Sequence, residues 1–208
     1  MGIDMLYLIG AGGHCKVVID ALRSIGLSAD VIRVRDGNPA RSGQMLMGFG
    51  IETPDLASEL SGELFHLAIG DCRVRAHRYR DATALGAVAH TIVHPKAVVA
   101  ASAQIGAGSF VTAGALVGPE AKLGRCVIVN HGAVVDHDCV VGDFSHVAPN
   151  ATLGGGVEVG DGVLIGSGAV VLPALRIGAG ATIGAGAVVT RDVTENQVWV
   201  GNPASERK

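Results

Sequence analysis

From Val93 to Val189 every sixth residue is Val, Ile or Leu. The series starts Val93, Val99, Ile105, Val111, Val117 and closes Val171, Ile177, Ile183, Val189 without a break. A period of six matches neither the 3.6 of a helix nor the 2.0 of a strand, so it reports a repeat architecture. One six-residue unit is a short strand plus a corner, and three such units close one triangular coil of a parallel β-helix. The aliphatic residue points inward. The residue four places on is small or aliphatic, as at Ala97, Ala103, Ser109, Ala115, Cys139, Ala181 and Ala187, and suits a tight corner. Gly often follows the aliphatic residue directly, as at Gly106, Gly142, Gly166 and Gly184, where it is expected to supply unusual backbone angles. The inside of such a rod is full, so chemistry belongs on its outside.

Composition agrees with a rod of stacked aliphatics. Hydrophobic residues make up 49% of the chain, yet aromatics only 3%, and there are 31 glycines. A net charge of −3 and the lack of a basic run give no electrostatic case for nucleic acid. Gly, Asp, Asn or Pro interrupts each apolar stretch before the roughly 20 residues that a membrane-spanning helix needs. The start, Met1 to Gly13, has no basic segment or cleavage site, so its apolar run Met5–Ile9 reads as a strand rather than a signal peptide. Cys15, Cys72, Cys126 and Cys139 show no C-x-x-C spacing. Reduced thiols and a cytoplasmic location are the expectation.

Residues 1–88 follow a different grammar. Strands are expected at Met5–Ile9, Val31–Val34 and Leu64–Ile69, and helices at Lys16–Ile25, near Pro54–Leu60 and at Arg73–Leu85. This alternation predicts a small Rossmann-like parallel sheet, with Ala87–Ile92 joining it to a β-helix over 89–208. Ligands of such sheets sit beyond the carboxyl ends of the strands. Those ends carry Gly10-Ala11-Gly12-Gly13-His14, Arg35-Asp36 and Gly70-Asp71. The Gly-rich turn alone is a weak signal, since Cys15 stands where a dinucleotide fingerprint has its third Gly. A ligand-free turn and a phosphate or nucleotide site both remain open. A complete dinucleotide is disfavoured, because only half of a full dinucleotide fold is present.

On the rod, histidine is the side chain suited to proton transfer near neutral pH. His137 stands at an outward corner between Asp136 and Asp138, where a carboxylate can fix its tautomer and raise its basicity. A solvated surface turn is the alternative. His131, one hexad earlier, falls on a different edge and reads as a surface or subunit-contact residue, while His146 suits a packed interface as well as a ligand. The spacings among the three give no local pair for zinc, so no metal is expected.

The residues together resemble the bacterial sugar acetyltransferases, including sialic acid O-acetyltransferases and the N-acetyltransferases of bacillosamine and perosamine biosynthesis. The resemblance is carried by Ile9-Gly10-Ala11-Gly12-Gly13-His14-Cys15-Lys16-Val17-Val18 and Leu67-Ala68-Ile69-Gly70-Asp71. Further matches are Val129-Asn130, Val135-Asp136-His137-Asp138-Cys139, Phe144-Ser145-His146-Val147 and Val200-Gly201-Asn202-Pro203-Ala204. It spans essentially the whole chain. It implies a left-handed β-helix, a homotrimer, and acetyl-CoA bound in the groove between neighbouring chains. It also implies His137 as general base and Asp138 as the carboxylate that tunes it. Asn130 would contact substrate, and His146, Gly155, Ser167 and Ala185 would contact acetyl-CoA. Gly12, Gly13, His14, Arg35, Asp36 and Gly70 would hold a nucleotide-linked amino sugar. O-acetylation of a sialic acid is the nearest rival activity. A metal-dependent carbonic-anhydrase-like lyase and a non-catalytic solenoid are readings of other classes.

Overall fold

The computed structural model describes residues 3–207. The chain forms two compact units, Met1–Pro95 and Lys96–Lys208.

In the first unit β1 (Leu6–Ile9) leads into α1 (Gly13–Ser24), and β2 (Ile32–Arg35) follows. Next come the short β3 (Met45–Leu46) and β4 (Phe49–Glu52), then β5 (Leu64–Leu67), α2 (Cys72–Ala84) and β6 (Val88–Ala89). The strands form one sheet in the order β3-β4-β2-β1-β5-β6, with β1 central and all pairs parallel except β3 with β4. Helix α1 buries Cys15, Val18, Ile19, Ala21 and Leu22, a stripe at helical spacing turned to the core of this unit. Three features depart from the sequence reading. Between β2 and the Pro54–Leu60 stretch, where no strand is expected from the sequence, lies the β3–β4 hairpin, whose two- and four-residue strands are too short to show a period. Part of the expected connector, Val88–Ala89, is the sheet's edge strand on β5. The helix expected near Pro54–Leu60 is a single 3₁₀ turn, Ser58–Leu60.

His66 of β5 is almost fully buried, and its Nδ1 lies 2.9 Å from the carbonyl oxygen of His90. Burial pushes its pKa down to about 4. Above pH 6.5 the ring is neutral in both folded and unfolded chains and costs nothing. As pH falls from 6.5 towards 4, the unfolded chain takes up a proton that the folded chain refuses. Stability is therefore lost in that window, by up to roughly 3 kcal/mol from this group. Urea melts at pH 7 and pH 4.5 should show the loss, and His66→Gln should remove most of the difference.

The second unit is a left-handed parallel β-helix. Its two-residue strands stack in three parallel sheets with partners eighteen residues apart, as Leu116 on Val134, Lys122 on Val140 and Ile128 on His146. The period-six aliphatics and the small residues four places on both point inward, giving a column of buried Val, Ile, Leu, Ala and Cys from Val111 to Val189. The Gly that follows the aliphatic residue has a different task from the one expected. The positive φ falls two residues later, at Gly132 and Gly156 but also at Asp138, Phe144 and Asn150. Gly118 instead lets neighbouring coils touch: a Cβ there would lie 2.7 Å from the His137 backbone nitrogen. Close approach of backbones, rather than left-handed geometry, fixes that position as glycine. Among the described residues no helix is long and apolar enough to cross a membrane.

Candidate active site

Three edges run along the rod where the chain turns from one sheet to the next. One edge carries the turns at 119–120, 137–138, 155–156 and 173–174. Another carries those at 131–132, 149–150, 167–168 and 185–186. The first holds His137, Asp138 and Gly155. The second holds Ser167 and Ala185, with Asn130 and His146 beside it. The sequence-predicted residues of the rod thus fall on two edges, separated by the sheet that contains Leu116, Val134 and Thr152.

On the first edge the His137 Nδ1–H donates to Asp138 Oδ2 at 2.8 Å. Asp138 reaches its neighbour because its backbone is left-handed, with φ of 60°, and its N–H is tied to the Pro119 carbonyl at 3.0 Å. The His137 backbone is fixed as well. Its N–H donates to Asp136 Oδ1 at 2.7 Å, and its carbonyl accepts from the Gly156 N–H at 2.9 Å. With the Nδ1 proton committed to Asp138, the neutral ring presents a lone pair on Nε2. The Asp138 hydrogen bond, and then the charge of Asp136, raise the imidazole above its ordinary pKa. Gly155 lies directly against the ring, so that a Cβ there would overlap both Nε2 and Cε1. Among the described residues its N–H donates to no protein acceptor.

Asp138→Asn removes the leading cause of the raised pKa. A rate that needs neutral His137 climbs as pH passes that pKa, so the acidic limb of kcat/KM should move to lower pH in the variant. Its plateau should fall less than on loss of the imidazole, because Asn still offers an acceptor to Nδ1–H. A pH–rate profile from 5 to 9 checks both expectations.

Cys139, next in sequence, points inward, fully buried, with Sγ 3.2 Å from the Gly154 carbonyl. Burial pushes its thiol pKa up, so it is a poor nucleophile. On the second edge Asn130 is buried, and its Oδ1 accepts from the His131 N–H at 2.9 Å. Its Nδ2 must then be the group 3.0 Å from His146 Nε2, which makes that nitrogen an acceptor and places the ring proton on Nδ1. Ser167 and Ala185 are exposed, each between glycines, and among the described residues their N–H groups meet no protein acceptor. Such a rail of small residues and open N–H groups suits amide and carbonyl oxygens of an extended ligand. Among the described residues no three His, Cys, Asp or Glu side chains are gathered to hold a metal ion.

In the first unit a cleft of about 570 Å³ opens beyond the strand ends. Gly12, Gly13, His14, Asp36 and Gly70 line it, as the sequence suggested, together with Asn38, Asp55 and Arg78. Helix α1 begins at its floor with no side-chain cap at Gly12, and a helix N-terminus favours an anion, whereas α2 is capped internally by Asp71 on the Val74 N–H. Asp36 braces the Gly-rich turn: its two oxygens accept from Ala11 N at 2.8 Å and Asn38 N at 2.9 Å. Arg75, buried in α2, donates from Nη1 to the carbonyls of Ile69 and Gly70 at 2.9 Å and so shapes the opposite wall. Arg35 is the exception among the predicted residues. Its guanidinium is buried away from the cleft, 3.3 Å from Glu52 and 2.5 Å from Glu59, and lies over the Tyr7 ring. It braces the sheet and does not line the ligand cleft. Asp55 and Arg78 were invisible in sequence because each comes from an unremarkable local stretch and only the tertiary fold joins them.

Residues 5–82 match the PglD N-terminal domain family, and residues 156–191 match the bacterial transferase hexapeptide family of six repeats. No match was found among curated proteins. Among solved structures, a histidine-to-asparagine mutant of perosamine N-acetyltransferase from Caulobacter crescentus, in complex with CoA and GDP-perosamine, is 37% identical. Its TM-score is 0.91, over 100% of this chain and 98% of that one. The acetyltransferase domain of PglB from Neisseria gonorrhoeae, in complex with acetyl coenzyme A, is 35% identical, with a TM-score of 0.89 over 99% and 100%. PerB from Caulobacter crescentus, with CoA and GDP-perosamine, is 34% identical, with a TM-score of 0.80 over 100% and 99%. The chain belongs to the bacterial sugar acetyltransferases that pair a PglD-type N-terminal domain with a hexapeptide-repeat left-handed β-helix.

Proposed function

We propose that this acetyltransferase moves the acetyl group of acetyl-CoA onto the amino group of a nucleotide-linked 4-amino sugar. The observation that carries the reading is the His137–Asp138 pair, with Gly155 packed against the Nε2 end of the ring. The neutral amine attacks the thioester carbonyl, and the ammonium that develops must lose a proton as the tetrahedral intermediate forms. His137 Nε2 takes that proton while Asp138 holds Nδ1–H and stabilises the imidazolium. The open N–H of Gly155 is a candidate oxyanion donor. Collapse of the intermediate expels CoA thiolate, and no acyl-enzyme is required. In the N-terminal cleft, the uncapped start of α1 supports the reading that Gly12, Gly13 and His14 receive the diphosphate, with Asp36 and Gly70 as neighbours. Relatives solved with GDP-perosamine bind a substrate of this class. The enzyme works in the cytoplasm on this reading, where acetyl-CoA and nucleotide sugars are made.

The working form is a homotrimer. The sheet between the two active edges carries an outward row of Val98, Leu116, Val134, Thr152, Val170 and Val188, and Val98 and Leu116 are exposed. The outward row that includes Gln104, Lys122, Glu158 and Arg176 is mostly polar. If the apolar face turns toward a threefold axis, the His137 edge of one chain meets the Ser167–Ala185 edge of the next. That arrangement would unite base and acetyl-CoA rail, which one chain holds apart. Val134→Glu should then yield a folded monomer in sedimentation equilibrium, with little acetyl transfer. A wild-type monomer with full activity would overturn the trimer.

The activity itself is tested by release of CoA thiol from acetyl-CoA against UDP- and GDP-linked 4-amino sugars, with free sialic acid alongside. Turnover confined to the nucleotide-linked amines is the expected result. Turnover confined to sialic acid would replace it with O-acetylation, for which the same base would serve.

A further inference from the structure

The far part of the N-terminal cleft holds a pair of groups to which neither the motifs nor the phosphate reading gives a role. Asp55 is 7% exposed, and its Oδ2 lies 3.0 Å from Arg78 Nε. Arg78 Nη1 reaches Asp81 at 3.4 Å. Among the described residues, Asp55 Oδ1 and Arg78 Nη2 are then left without a protein partner. Both border the same space. A Cβ on Gly37 would lie 3.1 Å from Arg78 Nη2 and 3.2 Å from Asp55 Oδ1. A donor and an acceptor therefore stand side by side over a residue that has no side chain. Arg78 supplies the counter-charge that a carboxylate buried in this way needs, since an isolated charge there would be costly.

Position in the cleft suggests what these groups meet. Phosphates belong at the N-terminus of α1, and the acidic residue ending the second strand stands where nucleotide-binding sheets meet the ribose. Gly37, Asp55 and Arg78 come next, beyond Asp36, where the base would lie. The base edges differ in what they offer. Guanine presents the O6 acceptor beside the N1–H and N2–H donors, so Arg78 Nη2 can donate to O6 while the carboxylate accepts from N1–H and N2–H. Uracil offers a single N–H between two carbonyls, and its second carbonyl would face the Asp55 carboxylate. Cytosine would turn a ring-nitrogen lone pair toward it. We infer that Asp55 and Arg78, over Gly37, read the base of the nucleotide-linked substrate and select guanine. The inference rests on the cleft being the nucleotide site of the proposed function.

Calorimetric titration of the full-length protein with GDP and with UDP tests it. GDP should bind about 10- to 100-fold more tightly, the range for one well-placed two-point contact to a base. Asp55→Asn swaps one acceptor oxygen for a donor and should bring the two affinities close together, chiefly by weakening GDP. Gly37→Ala, which leaves the ion pair intact and fills the space above it, should do the same and covers the case in which the Asp55 variant fails to fold. UDP binding as tightly as GDP to the wild type would overturn the inference, as would equal weakening of both nucleotides in the variants. Turnover of GDP- and UDP-linked 4-amino sugars separates the two levels. Acetylation of the UDP sugar alone sinks the base assignment and leaves the acetyltransferase reading standing. A GDP preference in binding with neither sugar acetylated supports the base assignment and sinks the substrate proposed above.

Discussion

His137→Ala should keep the β-helix and its acetyl-CoA binding while lowering kcat by about 10²–10⁴-fold, the range for loss of a general base. The side chain is exposed on an outward turn and contributes nothing to the aliphatic core, so the variant has no structural reason to unfold. Its backbone contacts to Asp136 and Gly156 do not need the imidazole. The remaining rate should lose the acidic limb of its pH profile, because the titrating group has gone. Steady-state kinetics beside acetyl-CoA titration check this. A variant that turns over near the wild-type rate would remove His137 from the mechanism.

Gly155→Ala is the second large effect, and it adds a single methyl group. The backbone at Gly155 is not left-handed, so alanine is permitted there by its torsions. The new Cβ would nonetheless occupy the place of the His137 ring, which must swing aside. Misplacing a catalytic group by about 1 Å can cost on the order of 10²-fold in rate, and that is the loss expected in kcat. Because both changes act on one imidazole, the double variant His137→Ala/Gly155→Ala should be scarcely slower than His137→Ala alone. Additive losses would mean that Gly155 acts through something other than His137, such as its own N–H.

The rod was legible because its period is strict: each inward Val, Ile or Leu marks one strand, and the core followed from the spacing. The His137 site was legible for a related reason. The sequence sets a histidine between two carboxylates, Asp136 and Asp138, at an outward corner of the repeat. What the spacing could not reveal was distance across coils. Gly155 lies eighteen residues from His137, one full coil away, and only the stacking brings it against the ring. The role of the Gly that follows the aliphatic residue was misjudged for the same reason, since at Gly118 the neighbour that demands glycine sits on another coil. In the N-terminal unit the residues of the Gly-rich turn and the strand ends line one cleft. The resemblance implies Arg35 along with Asp36, but adjacent residues of an extended strand point to opposite faces. Its side chain went to Glu52 and Glu59 instead. Asp55 and Arg78 belong to no local pattern, and no reading of one segment at a time could have paired them.

The most direct measurement is the chemical nature of the product. The enzyme would be incubated with acetyl-CoA and a nucleotide-linked 4-amino sugar, the protein weighed directly by mass spectrometry, and the product weighed before and after treatment with hydroxylamine. The account predicts a singly acetylated nucleotide sugar whose amide survives hydroxylamine, with no acetyl group left on the protein. A hydroxylamine-labile ester on the sugar, or an acetylated enzyme, would contradict it.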